Sequence, residues 1–208
     1  MKKTLSILCL VICFFISVHA QTPKSHHGIV VHPGIGFGTY PGLITDGTTN
    51  HWIANMGVDW KYDFSEHWSL LVGMDFQYRL TNGYYITQGV DGPENRPFTS
   101  RNYIIKVPVL FEYHARWFYI AVGPYLLREI GDLFSGNSRE LATIGPTVEV
   151  GGRIKLSEKS HLRIGWQSSI GIELRKRTNY YYNNTTTSLG IGRIEANSLL
   201  QIGYEYHF

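Results

Sequence analysis

The segment "LLQIGYEYHF", Leu199 to Phe208, places Leu200, Ile202, Tyr204, Tyr206 and Phe208 on every second position. Gln201, Gly203, Glu205 and His207 take the places between them. A period of two is the signature of an extended strand with one apolar and one polar face. Terminal residues usually fray into water, yet here the alternation tightens toward Phe208. The segment therefore reads as a strand that must be held against a neighbour.

The same period runs through most of the chain, and helical spacing is scarcely found. It predicts eight strands: 28–38, 52–64, 68–80, 102–114, 117–127, 141–156, 161–175 and about 189–208. In the second, Trp52, Ala54, Met56, Val58, Trp60, Tyr62 and Phe64 alternate with Asn55, Gly57, Asp59, Lys61 and Asp63. The connections at 65–67, 115–116 and 157–160 are tight. Those at 39–51, 81–101, 128–140 and 176–188 are long and rich in Gly, Asn and Thr. An even strand count, with short turns at one end and long loops at the other, marks an all-β, antiparallel, up-and-down transmembrane barrel.

Residues 1–20 read as a cleaved secretory signal peptide: Lys2 and Lys3, an apolar run from Leu5 to Val18, then Val18-His19-Ala20 before Gln21. Residues 21–27 follow as a short periplasmic segment, and 28–208 as the barrel. Both cysteines, Cys9 and Cys13, fall in the signal, which leaves no thiol for disulfides or catalysis. Of the 19 Lys and Arg, 17 remain against 16 Asp and Glu, a balance that calls for no nucleic acid. No later stretch approaches the length of an apolar membrane helix.

Alternation alone does not say which face points outward, because a soluble lipocalin-type barrel or a sandwich also alternates. Three features favour the membrane. The strands are mostly long enough to cross a bilayer when tilted. Aromatic residues gather near strand ends (Trp52, Phe64, Trp68, Tyr103, Tyr113, Trp117, Tyr206, Phe208), as an interfacial girdle requires. Glycine is frequent on the polar face, which suits a crowded small lumen. The charges then settle the orientation: a midplane Arg or Lys facing lipid costs roughly 2–4 kcal/mol, and several would exceed the roughly 5–15 kcal/mol that holds a domain folded. The charged face is expected to be the lumen.

Counted from the tight turns, Glu112, Arg153, Arg163 and Glu205 fall at one low level. Asp59, Asp75, Lys106 and Glu149 fall nearer the middle, and Arg79, Glu173 and Arg175 higher. An eight-stranded barrel is just wide enough for side chains to fill it. Buried charge is costly unless paired, so these residues are expected to form a salt-bridge plug, with a narrow gated path as the alternative.

Other polar residues carry weaker signals. His26 and His27 are expected in a solvated segment before the first strand, and His114 and His207 at the tight-turn end of the lumen. His51 lies near the opposite rim, where an enzyme acting on lipid A would place its base, with Ser100 and Ser188 at the same end. No feature of strand order brings these together as a nucleophile, base and orienting carboxylate, so no catalysis is expected. Tyr180, Tyr181 and Tyr182, in "KRTNYYYNNTTTS" (Lys176 to Ser188), offer aromatic contact area that could take a glycan or protein ligand. No zinc spacing, phosphate loop or paired-carboxylate motif stands out, and no cofactor is expected. The expected partners are outer-membrane lipids and the barrel assembly machinery.

"YIIKVPVLFEYHARWFYIAVGPYLL", Tyr103 to Leu127, resembles the most characteristic hairpin of the PorT-like outer-membrane barrels of Bacteroidetes-type bacteria. The matching features are Val107-Pro108-Val109, Phe111-Glu112-Tyr113, the short turn and Gly123-Pro124-Tyr125. "GVDWKYDFSEHWSLLVGMDFQY", Gly57 to Tyr78, resembles that family's other common hairpin. The resemblance implies an eight-stranded barrel of outer-membrane protein A or X type and carries no activity. Tyr204, Tyr206 and Phe208 also resemble the C-terminal signal by which the assembly machinery recognises its clients.

Overall fold

The computed structural model describes residues 26–40, 49–89, 92–130, 140–181 and 184–208. Eight strands are hydrogen-bonded in chain order into a closed, all-antiparallel barrel. They are β1 (His26–Tyr40), β2 (Thr49–Asp63), β3 (Trp68–Gly89), β4 (Gly92–His114), β5 (Phe118–Glu129), β6 (Glu140–Lys155), β7 (Ser160–Tyr181) and β8 (Asn184–His207). The question raised by the C-terminal alternation is answered at the seam. β8 pairs with β1 from Gly28↔His207 to Thr39↔Ala196, and the Phe208 amide donates to the His27 carbonyl at 2.9 Å.

Closure leaves two surfaces. Outward point Ile35, Met56, Met74, Val122, Ile170 and Ile202, each about half exposed or more. Inward, among the described residues, point twelve charged side chains of the strands, buried to a few per cent, whereas Arg101, Arg128 and Lys155 are exposed. The lumen is not wholly polar: Val30, Leu71, Leu110 and Ala121 form one apolar cluster within it, and Ile104, Tyr125 and Leu127 another. Aromatic rings ring the tight-turn end, with Trp68 against Tyr113 at 5.2 Å and Tyr206 against Phe208 at 5.8 Å. Trp52 and Tyr103 stand toward the other end, where Tyr78 meets Tyr103 at 5.4 Å.

Two expectations are corrected. His26 and His27 do not precede the first strand; they open β1, opposite Asp63 and Tyr62, and the His27 ring lies 5.1 Å from that of Tyr62. The segments 81–101 and 176–188 are not loops but continuing hairpins, closed at Gly89↔Gly92 and Tyr181↔Asn184. Tyr180 and Tyr181 accordingly lie in β7, whereas Tyr182 lies outside the described residues, as do residues 1–25. The physical reason is propensity without sidedness. Tyr, Ile and Thr favour extended backbone, but beyond the closed ring, where a hairpin has no lateral neighbours, nothing requires one face to be apolar. Past Asn82, β3 runs on to Gly89, and past Arg175, β7 runs on to Tyr181. Each hairpin therefore projects roughly 20 Å of strand beyond its neighbours. The two are four strands apart in the ring and stand on opposite walls.

Glycine matters most where strands pass closest. A Cβ on Gly36 would meet the backbone carbonyl of Ser198 across the β1–β8 seam. The obstacle is main chain, which a rotamer change does not move. Gly36→Val is expected to cost at least the roughly 1–3 kcal/mol of ordinary overpacking and to weaken the seam first. The check is gel mobility without boiling, in which a closed barrel migrates differently from the unfolded chain; an unchanged folded fraction and melting temperature would refute it.

Candidate functional site

The lower lumen is built from one inward position on each of five strands: Lys61 (β2), Glu112 (β4), Arg153 (β6), Arg163 (β7) and Glu205 (β8). Lys61 Nζ donates to Glu112 Oε1 at 2.7 Å and to Glu205 Oε1 at 2.9 Å. Arg163 Nη2 donates to Glu112 Oε2 at 2.6 Å, and its Nη1 to Glu205 Oε2 at 3.2 Å. Arg153 Nη2 reaches Glu205 Oε1 at 2.6 Å. Both carboxylates thus bridge cations from opposite sides of the ring, and Lys61, Glu112 and Glu205 are wholly enclosed. Below this layer Asp63 accepts from the Ser69 hydroxyl at 2.5 Å and lies 3.3 Å from His207 Nδ1. His114 Nδ1 sits 3.1 Å from the same hydroxyl.

The middle and upper levels repeat the theme. The Arg163 guanidinium lies 3.8 Å from the centre of the Tyr119 ring, a desolvated cation–π contact. The Tyr119 hydroxyl donates to Glu149 at 2.6 Å. Lys106 donates to Gln167 Oε1 at 2.5 Å and stands over the Tyr125 ring. Higher, Arg79 Nη2 donates to Glu195 Oε1 at 2.6 Å, and Asn197 also donates to that carboxylate. Glu173 is buried in the same wall. The backbone of Arg175 pairs with Glu140 and Gly190.

The rim residues that an enzyme would need are engaged separately. His51 Nε2 lies 2.8 Å from Asn197 Oδ1, and the Ser100 hydroxyl donates to Asn102 at 2.9 Å. They sit on β2 and β4, either side of Thr81 in β3.

Of the residues singled out in the sequence, Glu112, Arg153, Arg163 and Glu205 share one network, Arg163 reaches toward Glu149 at 3.6 Å, and Asp75 faces Lys106 in register. Asp59 and Asp75 lie instead against His32, which the sequence reading passed over, as it passed over Glu195 and gave no role to Lys61. Parity would have found all three: His32 shares its face with Gly34, and Glu195 and Lys61 lie in step with Glu205 and Asp59.

The outer surface carries a shallow apolar groove along β4–β6, bordered by Val107, Val109, Leu126, Ile144, Pro124 and Pro146. Pro124 faces Pro146 across the β5–β6 ladder, where neither supplies an N–H.

With this geometry in place, likeness to solved barrels can be weighed. The outer membrane protein OprG from Pseudomonas aeruginosa is 12% identical, with a TM-score of 0.50 over 89% of this chain and 97% of that one. The outer membrane protein AlkL, solved in lipid bilayers, is 14% identical, with a TM-score of 0.50 over 89% and 90%. The chain has the fold of a small outer-membrane β-barrel. No protein-family model matches the sequence, and no curated protein matches it. At such identities the likeness is one of fold.

Proposed function

We propose that the protein is a bacterial outer-membrane barrel of structural or adhesive role, exported by the segment 1–20 and closed to solutes by its own lumen charges. The observation that carries this reading is the lower network, in which Lys61, Arg153 and Arg163 clamp Glu112 and Glu205 across the full width of the ring. An open pore would need these charges hydrated and apart; here each lies within 3.2 Å of an opposite charge. The tight-turn end and both termini face the periplasm, and the projecting β3–β4 and β7–β8 hairpins face outward. There the hairpins, with Tyr180 and Tyr181 near one tip, offer contact area to an extracellular glycan or protein. The hairpin Tyr103–Leu127 keeps its resemblance to PorT-like barrels as part of this reading. The separate engagement of His51 and Ser100 supports a non-enzymatic role.

The test is electrical. In planar bilayers the refolded protein is expected to give no stable large conductance, and a sustained open level would reject the plug. Replacing residues 176–188 with a two-residue turn should leave the barrel folded while lowering adhesion of bacteria to host-like surfaces. Unchanged adhesion would remove that hairpin from the proposal.

A further inference from the structure

Two buried carboxylates in the lumen share a single partner. Among the described residues, Asp59 and Asp75 have one ion-pair partner between them, the His32 ring. Lys106 stands opposite Asp75 in the β3–β4 register but turns its ammonium to Gln167.

His32, Asp59 and Asp75 converge from three consecutive strands. His32 Nε2 lies 3.0 Å from Asp59 Oδ2 and 3.5 Å from Asp75 Oδ1. Asp75 is fully enclosed, and neither of its oxygens accepts an aligned hydrogen bond; the same holds for Asp59 Oδ1 and both nitrogens of His32. The space they face is kept open by glycine. A Cβ on Gly57 would run into Asp75 Oδ1 and the His32 ring, and one on Gly73 into Asp59 Oδ1.

We propose that His32, Asp59 and Asp75 form a binding site for one divalent transition-metal cation, of the Zn2+ class, inside the barrel. The donor set fits, since one imidazole nitrogen and two carboxylates suit such ions. The spacing fits as well: four-coordinate zinc with bonds of about 2.0–2.1 Å places its ligand atoms roughly 3.3 Å apart, between the two observed separations. The charge fits too, because a divalent ion cancels the Asp59 and Asp75 carboxylates, whereas a bridging water would satisfy hydrogen bonds and leave both buried charges on one imidazole. Three protein ligands leave the fourth position to water. The cluster His161, Glu205 and His207 also has ligand spacing, but its Glu205 already holds Lys61, Arg153 and Arg163. The site needs neither the lower plug nor the hairpins, so its failure would leave the proposed function standing.

The experiment uses the full barrel refolded in detergent, stripped with chelator, dialysed against ZnCl2 and counted for bound metal by mass spectrometry. One Zn2+ per chain is expected. His32→Gln and Asp75→Asn should each weaken binding by more than the roughly 10–100-fold that loss of an outer-shell partner costs. His161→Gln should leave binding unchanged. Gly57→Ala keeps all three ligands and fills the cradle, so it should weaken binding too, and unboiled gel mobility reports whether each variant is a closed barrel. Should the variants misfold, cobalt in the wild-type protein answers instead: a four-coordinate visible spectrum supports the site, and a six-coordinate aquo-like one overturns it. Absence of stoichiometric zinc, or zinc lost in His161→Gln and kept in Asp75→Asn, would equally overturn it.

Discussion

Arg163→Ala is expected to destabilise the barrel by about 3–5 kcal/mol, the cost of leaving buried partners uncompensated. Arg163 is almost fully enclosed and touches three carboxylates, with Glu112 at 2.6 Å, Glu205 at 3.2 Å and Glu149 at 3.6 Å. Lys61 and Arg153 remain to Glu205, but Glu112 would keep Lys61 alone among the strand cations. The Tyr119 ring would also lose the guanidinium beneath it. The companion variant Arg163→Met/Glu112→Met removes one charge of each sign and refills the space with apolar atoms, so it should recover most of the loss, as apolar replacement of buried ion pairs often does. Urea unfolding in phospholipid vesicles measures both. If the single variant lost less than about 1 kcal/mol, the network would be a solvated set of surface-like pairs rather than a plug.

The part of the molecule in the closed ring was legible from sequence; the part beyond it was not. Met56, Val58 and Trp60 alternate with Gly57, Asp59 and Lys61 because two different surroundings meet the two faces of one strand, and exposure alternates along β2 from Asn50 to Lys61. Past Asn82 and Arg175 the sequence alternation lapses, and a continuing hairpin looks like a Gly- and Thr-rich loop. Start residues blurred for a related reason, since His26 and His27 pair by backbone at a rim where polarity says little. Within the lumen, the levels of Glu112, Arg153, Arg163 and Glu205 could be counted from the turns because those turns are tight. The setting of His32 could not. It meets Asp75 along the row His32–Gly57–Asp75 and Asp59 on the diagonal, which register fixes and a single-strand pattern does not carry. The inward Leu71, Leu110 and Leu127 were hidden likewise, since an apolar residue on the polar face reads as noise until the ring closes.

The orientation of the two faces permits a test in which the sign of the result matters as much as its size. Met56 lies midway between Trp52 and Trp60 on the outward face of β2 and is 60% exposed. In a bilayer that position meets hydrocarbon, and Met56→Arg is expected to cost about 2–4 kcal/mol. Leu156 is nearly as exposed but follows the end of β6, at the tight-turn rim. There Leu156→Arg should cost only about 0–1 kcal/mol, because the guanidinium reaches the headgroups. A water-soluble barrel of the same fold predicts no such difference, since an arginine on an exposed apolar patch would be neutral or would improve solubility at either site. Unfolding free energies in vesicles of one lipid composition, compared for the two variants, separate the alternatives. Equal costs at Met56 and Leu156, or a wild-type chain that stays dispersed without detergent, would mean that lipid does not surround the apolar face. The enclosed charges would then have to be explained without a membrane.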